Sequence, residues 1–273
     1  MLFAIDIGGS KTRVIGSQLG HGIDEEIVFV TPQSQRVVVR ELRDKIEGLA
    51  GRSGVDAIGI AAPGAIDKSK GMMLHTAQLR WRNLKLVAPL QQYFNCPVTI
   101  ENDAACGALA EARDGSGKQF KSFVYVTIST NIGTAICVDQ KIIDTQHNSE
   151  GGHMILVPDF GDLNKSLKFA DIVSGSAIQR EFGMIAHDIH SPSVWQEISS
   201  RLAVGLYNLA TIIQPEAIIL AGGVSVNHAK FVAKVRQAWD DLPFVYPPPR
   251  LKTASHIETA PALGALLLAQ DLV

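Results

Sequence analysis

Short apolar runs separated by glycine-bearing turns open the chain. Leu2-Phe3-Ala4-Ile5-Asp6-Ile7 stops at Gly8-Gly9-Ser10, Thr12-Arg13-Val14-Ile15-Gly16-Ser17 follows, and Glu26-Ile27-Val28-Phe29-Val30 comes after Gly20-His21-Gly22. Three such segments predict an antiparallel meander. Between Ser34 and Leu49 the apolar positions Val37, Val38, Leu42, Ile46 and Leu49 fall on one stripe, which predicts a helix. A buried strand is expected at 55–61, ending at Pro63-Gly64. A helix over 86–94, a strand over 97–100 and an Ala-rich helix over 104–112 complete the first part.

The layout then recurs. Phe123 to Ile128 reads as a strand, Ser129-Thr130-Asn131-Ile132-Gly133 as a polar turn, Thr134 to Val138 as a second strand, and Lys141 to Asp144 as a third. Strand, turn, strand, turn, strand at a spacing of about half the chain points to internal duplication. A long helix over 194–213, a strand over 217–220 ending at Ala221-Gly222-Gly223, and helices over 229–242 and 260–272 follow. Alternating strand and helix signals favour an α/β protein of two lobes. The lobes are expected at 1–103 plus 257–273 and at 104–256.

Composition narrows the class. The 273 residues exceed one minimal domain, and 46% hydrophobic against 19% charged positions supply a sizeable core. A net charge of −2 argues against a basic nucleic-acid coat. No apolar run has the length of a membrane span, and Asp6 interrupts the first hydrophobic stretch before a signal segment forms. Three scattered cysteines (Cys96, Cys106 and Cys137) without CxxC spacing fit a reducing cytoplasm better than a disulfide framework or a Cys-rich zinc site.

Several constellations carry candidate chemistry. A turn rich in Gly, Ser and Thr leaves backbone N–H groups open to phosphate oxygens. Gly8, Gly9 and Ser10, followed by Lys11 and Thr12, form one such turn, and Thr130, Asn131 and Gly133 lie in the other. Asp6, just before the first turn, can hold a magnesium ion through its water shell. Each turn alone is equally an ordinary hairpin; their repetition favours the phosphate reading. Gly115-Ser116-Gly117-Lys118 lacks the Ser/Thr and the first Gly of a P-loop and is expected to be a surface loop. In Glu101-Asn102-Asp103, at a strand end, Asp103 can take a proton from a hydroxyl that attacks phosphorus. The alternative is an Asx cap on the following helix, and both can hold together. Glu150-Gly151-Gly152-His153 lets two polar groups approach a polyhydroxyl ligand, or is a surface turn. Ala221-Gly222-Gly223-Val224-Ser225 offers backbone on which a flat ring can lie, or is a tight turn between strand and helix.

Together these residues resemble the ROK (repressor, open reading frame, kinase) family of sugar kinases, within the actin-like ATPase and hexokinase superfamily. The resemblance runs over nearly the whole chain. Asp6 to Thr12 looks like the first phosphate motif, Gly59 to Gly64 like the strand and Pro-Gly turn edging the sugar pocket, and Trp81 to Leu84 and Val98 to Ala105 also fit. It implies a two-lobed, ribonuclease H-like fold, with duplicated mixed sheets flanked by helices and a cleft between lobes. The activity implied is transfer of the γ-phosphoryl of ATP to a hexose or acylamino-hexose, as in glucokinases and N-acylmannosamine kinases, with Mg²⁺. In that pattern Asp103 is the catalytic base. Gly64, Asn83, Asn102, Glu150 and His153 bind sugar. Asp6, Gly8, Gly9, Ser10, Lys11, Thr12, Thr130, Asn131, Gly133, Gly222 and Gly223 serve the nucleotide. Dimerisation is common among similar proteins, and no interface is legible in this sequence.

The departures are specific. The family's second phosphate turn reads Gly-Thr-Gly-Ile-Gly, where this chain has Ser129 and Asn131 at two of the glycines. The zinc loop is absent, because 154–168 contains no Cys after His153, so no zinc site is expected. A sugar-binding Glu four residues before Ser174-Gly175 is replaced by Ala170. No helix-turn-helix precedes Met1, so the repressor branch is not expected.

Overall fold

The computed structural model describes every residue except 19–21, 77–78, 144–147 and 227–228, with 225–226 and 229–230 described by backbone alone. The opening meander is β1 (Leu2–Ile7), β2 (Lys11–Ser17) and β3 (Glu25–Val30), paired antiparallel in order. The turn expected at Gly20-His21-Gly22 lies largely outside the described residues. β1 and β2 are buried almost throughout and so read as apolar runs, while β3 alternates at the sheet edge. Helix α1 (Gln35–Ala50) buries Val38, Leu42, Ile46 and Ala50, four residues apart. β4 (Ala57–Ala62) runs parallel to β1.

The next stretch holds a sheet that the sequence reading did not contain: β5 (Ala65–Asp67), β6 (Met72–His75) and β7 (Arg82–Lys85). Strands this short give too few positions for a period of two to register. After α2 (Val87–Phe94), β8 (Val98–Asn102) joins β4 in parallel and completes the order β3-β2-β1-β4-β8. Helix α3 (Asp103–Asp114) follows without a break.

The second half repeats the plan. β9 (Ser122–Ile128) and β10 (Ile132–Val138) form a hairpin, β11 (Lys141–Ile142) pairs with β10, and the end expected for that strand at Asp144 lies outside the described residues. The polar turn is shorter than expected, because Ile132 and Gly133 already belong to β10. A two-stranded ribbon, β12 (Ile155–Val157) with β13 (Leu167–Lys168), precedes α4 (Phe169–Val173), α5 (Gly175–Phe182) and α6 (Pro192–Ile213). Then come β14 (Ala217–Ala221), α7 (Gly223–Val226), α8 (Ala229–Asp240), β15 (Arg250–Thr253) and α9 (Ala260–Gln270). The sheet order is β11-β10-β9-β14-β15.

The chain divides into two compact units. The first comprises Met1–Ala110, Asp144–Asn148 and Thr259–Val273; the second comprises Glu111–Ile143 and Ser149–Glu258. In the first, one sheet face packs Phe3, Ile5, Ile58 and Ile60 against Val38, Leu42 and Ile46 of α1. The opposite face sets Leu2, Ala4, Ile15 and Ala61 against Ala262, Ala265 and Ala269 of α9. The helix approaches closely, since a Cβ on Gly59 would stand 1.8 Å from the Ala265 carbonyl oxygen. In the second unit, Val124, Val126, Ile218 and Leu220 pack with Ile198, Leu202 and Leu206 of α6 and Phe231 and Val235 of α8.

Candidate active site

The first turn is held by its own sheet. Ile7 pairs with Thr12, and Gly8, Gly9 and Ser10 connect β1 to β2, which Lys11 opens. The Gly8 N–H donates to the Lys11 carbonyl at 2.9 Å, and a Cβ on Gly8 would lie 2.7 Å from that oxygen, so glycine is required. Thr31, beyond β3, braces the loop from beneath. Its N–H donates to the Ser10 carbonyl at 3.0 Å and its hydroxyl to the Gly8 carbonyl at 2.7 Å. The Thr12 hydroxyl is buried and donates to Thr31 Oγ1 at 2.9 Å. Thr12 therefore supports the turn from inside, while Ser10 and Lys11 are exposed and Gly8 and Gly9 half-buried. Asp6 lies on β1 directly before this turn. Burial foremost, and the nearby Asp103 carboxylate second, push its carboxyl up to about 7 against the opposing pull of Arg13. Arg13 is itself paired with Glu26 at 2.7 Å.

At the end of β8, Asn102 is buried and fully engaged on one side. Its Oδ1 accepts the Ala104 and Ala105 N–H groups at 2.9 and 3.2 Å, and its Nδ2 donates to the Gly64 carbonyl at 3.2 Å. The cap on α3 is thus real. Asp103 is the first residue of α3, where the helix dipole favours a carboxylate, and its Oδ1 accepts the Ala104 N–H at 2.8 Å. Gly64 has φ +81, and a Cβ there would meet the His75 carbonyl oxygen at 2.2 Å. Asn83 is exposed on β7 with φ 50. The first unit therefore carries Asp6, Gly8, Gly9, Ser10, Lys11, Thr12, Gly64, Asn83, Asn102 and Asp103.

A neighbouring network was not legible beforehand. Glu101 Oε1 accepts the Asn102 N–H at 2.7 Å and the Asn148 amide at 3.0 Å, and its other oxygen is ion-paired with Lys68. Lys68 and Asn148 are far from Glu101 in sequence, and only the fold brings them to it.

The second unit holds the other candidates. Ile128 pairs with Ile132, leaving Ser129-Thr130-Asn131 as a three-residue turn closed by the Ser129 N–H on the Asn131 carbonyl at 2.9 Å. The first residues of α5 clamp it, with the Gly175 N–H on Ser129 O at 2.7 Å and the Ser176 N–H on Thr130 O at 3.3 Å. Thr130 is exposed, and Asn131 and Gly133 are half-buried. Next door, the buried Thr134 hydroxyl donates to Ser149 O at 2.9 Å and accepts the Gly151 N–H at 2.8 Å. A Cβ on Gly152 would lie 2.4 Å from the Ile132 carbonyl oxygen. The glycine pair is thus what lets this loop lie against β10, leaving Glu150 and His153 exposed at its two ends. Glu150 Oε2 stands 3.8 Å from His153 Nε2, and partial burial raises the Glu150 carboxyl while His153 opposes the rise. Ala170 packs against the core of the unit, and the adjacent Asp171 carboxylate accepts the Lys168 N–H at 3.0 Å at the start of α4. Gly222 has φ +85 with Ile128 O 2.4 Å from where its Cβ would stand, whereas among the described residues no atom beyond the chain neighbours and the helix's own backbone lies within 4 Å of that position at Gly223.

The Gly115–Lys118 turn is occupied from within. The fully buried Glu111 carboxylate accepts the Ser116, Ser255 and His256 N–H groups at 2.7, 3.0 and 2.7 Å. Among the described residues no cluster of three or more His, Cys, Asp or Glu side chains could hold a metal, and no helix is long and apolar enough to cross a membrane.

Comparison with known proteins adds the following. The family model described as ROK family matches residues 2–272. A beta-glucoside kinase from Listeria monocytogenes is 27% identical, over 96% of this chain and 95% of its own length. A xylose repressor from Bacillus subtilis is also 27% identical, over 77% of this chain and 60% of its own length. The crystal structure of a ROK family glucokinase from Streptomyces griseus, in complex with glucose and AMPPNP, superposes with a TM-score of 0.85 at 23% identity, covering 99% of both chains. The α/β fold is therefore the actin-like ATPase fold of that glucokinase.

Proposed function

Because the chain belongs to the ROK family, we propose that it is an ATP-dependent kinase that phosphorylates a hydroxyl of a hexose or acylamino-hexose. The observation that carries the reading is the end of β8. There Asp103 opens α3 beside an Asn102 that is fixed to Gly64, and it shares the electrostatic field of Asp6. In this reading Asp103 takes the proton from the attacking hydroxyl as its oxygen closes on the γ-phosphorus. The second Nδ2 hydrogen of Asn102, with Gly64, Asn83, Glu150 and His153, orients the sugar. Gly8, Gly9, Ser10 and Lys11, with Thr130, Asn131 and Gly133, offer donors to phosphate oxygens, and Thr12 acts through Thr31. Gly222 and Gly223 lie under the nucleoside, and the open room above Gly223 suits a flat ring.

Asp6 fits a cation. Burial and Asp103 make its negative charge costly, and a divalent ion held through water offsets that cost. A magnesium ion held there by Asp6 would supply positive charge against the phosphates. Three buried, unpaired cysteines suit the reducing cytoplasm.

The test is a coupled ADP-release assay with Mg-ATP against hexoses, N-acetylhexosamines and their mannose isomers. Sugar-dependent ADP formation supports the kinase. Silence across the panel, with sugar or ATP still bound in calorimetry, would favour a second reading, a ROK-type sugar- and nucleotide-binding protein without turnover. Two observations favour that second reading: the second phosphate turn lacks glycine at 129 and 131, and Ala170 carries no carboxylate.

A further inference from the structure

We propose that Asn148 is an additional sugar-binding residue, whose Oδ1 accepts one substrate hydroxyl while Glu101 holds its amide in place. The inference rests on the sugar-kinase reading and extends it to a residue outside the motifs. Glu101 is ion-paired with Lys68 and therefore acts only as an acceptor. The group facing it at 3.0 Å must be the Asn148 nitrogen, which assigns the amide orientation chemically. Its oxygen is then left over, and that oxygen is buried with no hydrogen-bond donor among the described residues. Native proteins rarely keep a buried carbonyl unsatisfied unless a water, ion or ligand completes it.

The location narrows the ligand. The Glu101 oxygen that holds Asn148 also accepts the Asn102 N–H at 2.7 Å, so the amide sits beside the strand end that carries Asn102 and Asp103. Two residues further along the chain is Glu150. Asn148 has φ 65, a left-handed conformation that asparagine tolerates better than most side chains. A hydroxyl group both fits a small covered spot and donates the missing hydrogen bond. Because the oxygen is covered in the ligand-free chain, its cover must yield as sugar enters, and the new bond offsets what burial costs.

The experiment uses Asn148→Gly, which removes the amide while suiting the positive φ, with a thermal melt to establish that the fold is kept. Kinetics are measured on whichever of D-glucose, D-mannose, D-fructose and N-acetyl-D-mannosamine the parent turns over best, and on its singly deoxygenated analogues. The expected result is a sugar KM raised roughly tenfold, as for loss of one buried polar contact, with kcat and the ATP KM nearly unchanged. One deoxy analogue should escape the penalty, because it lacks the hydroxyl that Asn148 accepts. An unchanged sugar KM, or an equal penalty on every analogue, would overturn the proposal while leaving the kinase reading intact. A parent that turns over no sugar of the wider panel of hexoses and N-acetylhexosamines would instead sink the kinase reading, and this proposal with it.

Discussion

The two glycine-bearing hairpins occupy the same place in two sheets of the same order, β3-β2-β1-β4-β8 and β11-β10-β9-β14-β15, yet they are built differently. Four residues, Gly8 to Lys11, lie between the last paired residues of β1 and β2, whereas three, Ser129 to Asn131, lie between those of β9 and β10. The first turn is braced by the hydroxyl and N–H of Thr31, just after β3, the second by backbone N–H groups alone at the start of α5. Where the first strand carries Asp6 one residue before the last pair, the second carries Thr127. The difference teaches that a duplicated scaffold conserves strand order and leaves the chemistry free to diverge. Among the candidate groups, the carboxylates Asp6 and Asp103 are confined to the first unit's strand ends, and the second unit offers mainly backbone and hydroxyl donors around its turn.

That asymmetry can be broken by experiment. The largest effect is expected for Asp103→Asn, which should lower kcat by about 10²- to 10⁴-fold while sugar binding in calorimetry survives. Thr130→Val in the second turn should cost less than about tenfold, the value of one hydrogen bond. Equal losses in the two variants would refute the division of labour. Next comes Gly222→Ala, which combines an unfavourable φ with a clash on Ile128 O and should lose about 2 kcal/mol or more in urea unfolding. Gly223→Ala, with open space around it, should stay within about 0.5 kcal/mol. A similar loss at both positions would mean that neighbouring packing, not local strain, sets the cost.

Thr31→Val sharpens the contrast between the two kinds of bracing. It removes the hydroxyl donor to Gly8 O and strands the buried Thr12 hydroxyl, at a cost of about 1–2 kcal/mol, and should raise the ATP KM. An unaltered ATP KM would separate the brace from nucleotide binding. The most modest effect concerns pH. Burial and then Asp103 push the Asp6 carboxyl up to about 7 from an ordinary 3.8, so between those values the folded state binds the extra proton. Its contribution to ligand-free stability is then full below about pH 4 and is lost as pH rises through about 7. Asp6→Asn should flatten that part of the stability profile; an unchanged slope would place the titration elsewhere.

Much of the framework was legible because burial leaves a pattern. β1, β2 and β9 appear as apolar runs, and α1 as a stripe four residues apart. The sheet of β5, β6 and β7 and the ribbon of β12 and β13 were not, since strands of two to four residues carry no period, and Ile155, Val157 and Leu167 are exposed. At the candidate site, the glycine turn at Gly8, the strand end at Asn102 and the βα turn at Gly222 were legible as local structure. The inward turn of the Thr12 hydroxyl could not, because it depends on Thr31 across β3. The Lys68–Glu101–Asn148 network likewise arises from pairing across distant segments, which no local spacing records.

The placement of α9 has a consequence for how the chain is made. Besides Cys106 of α3, the apolar partners of Leu2, Ala4, Ile15 and Ala61 outside the sheet lie, among the described residues, in a helix that follows the whole of the second unit in sequence. During synthesis from the N-terminus, the first unit must therefore wait with one sheet face uncovered while the second emerges and folds. The domain that begins first finishes last, and the nascent chain passes through an interval in which that bare face is open to chaperones and to aggregation.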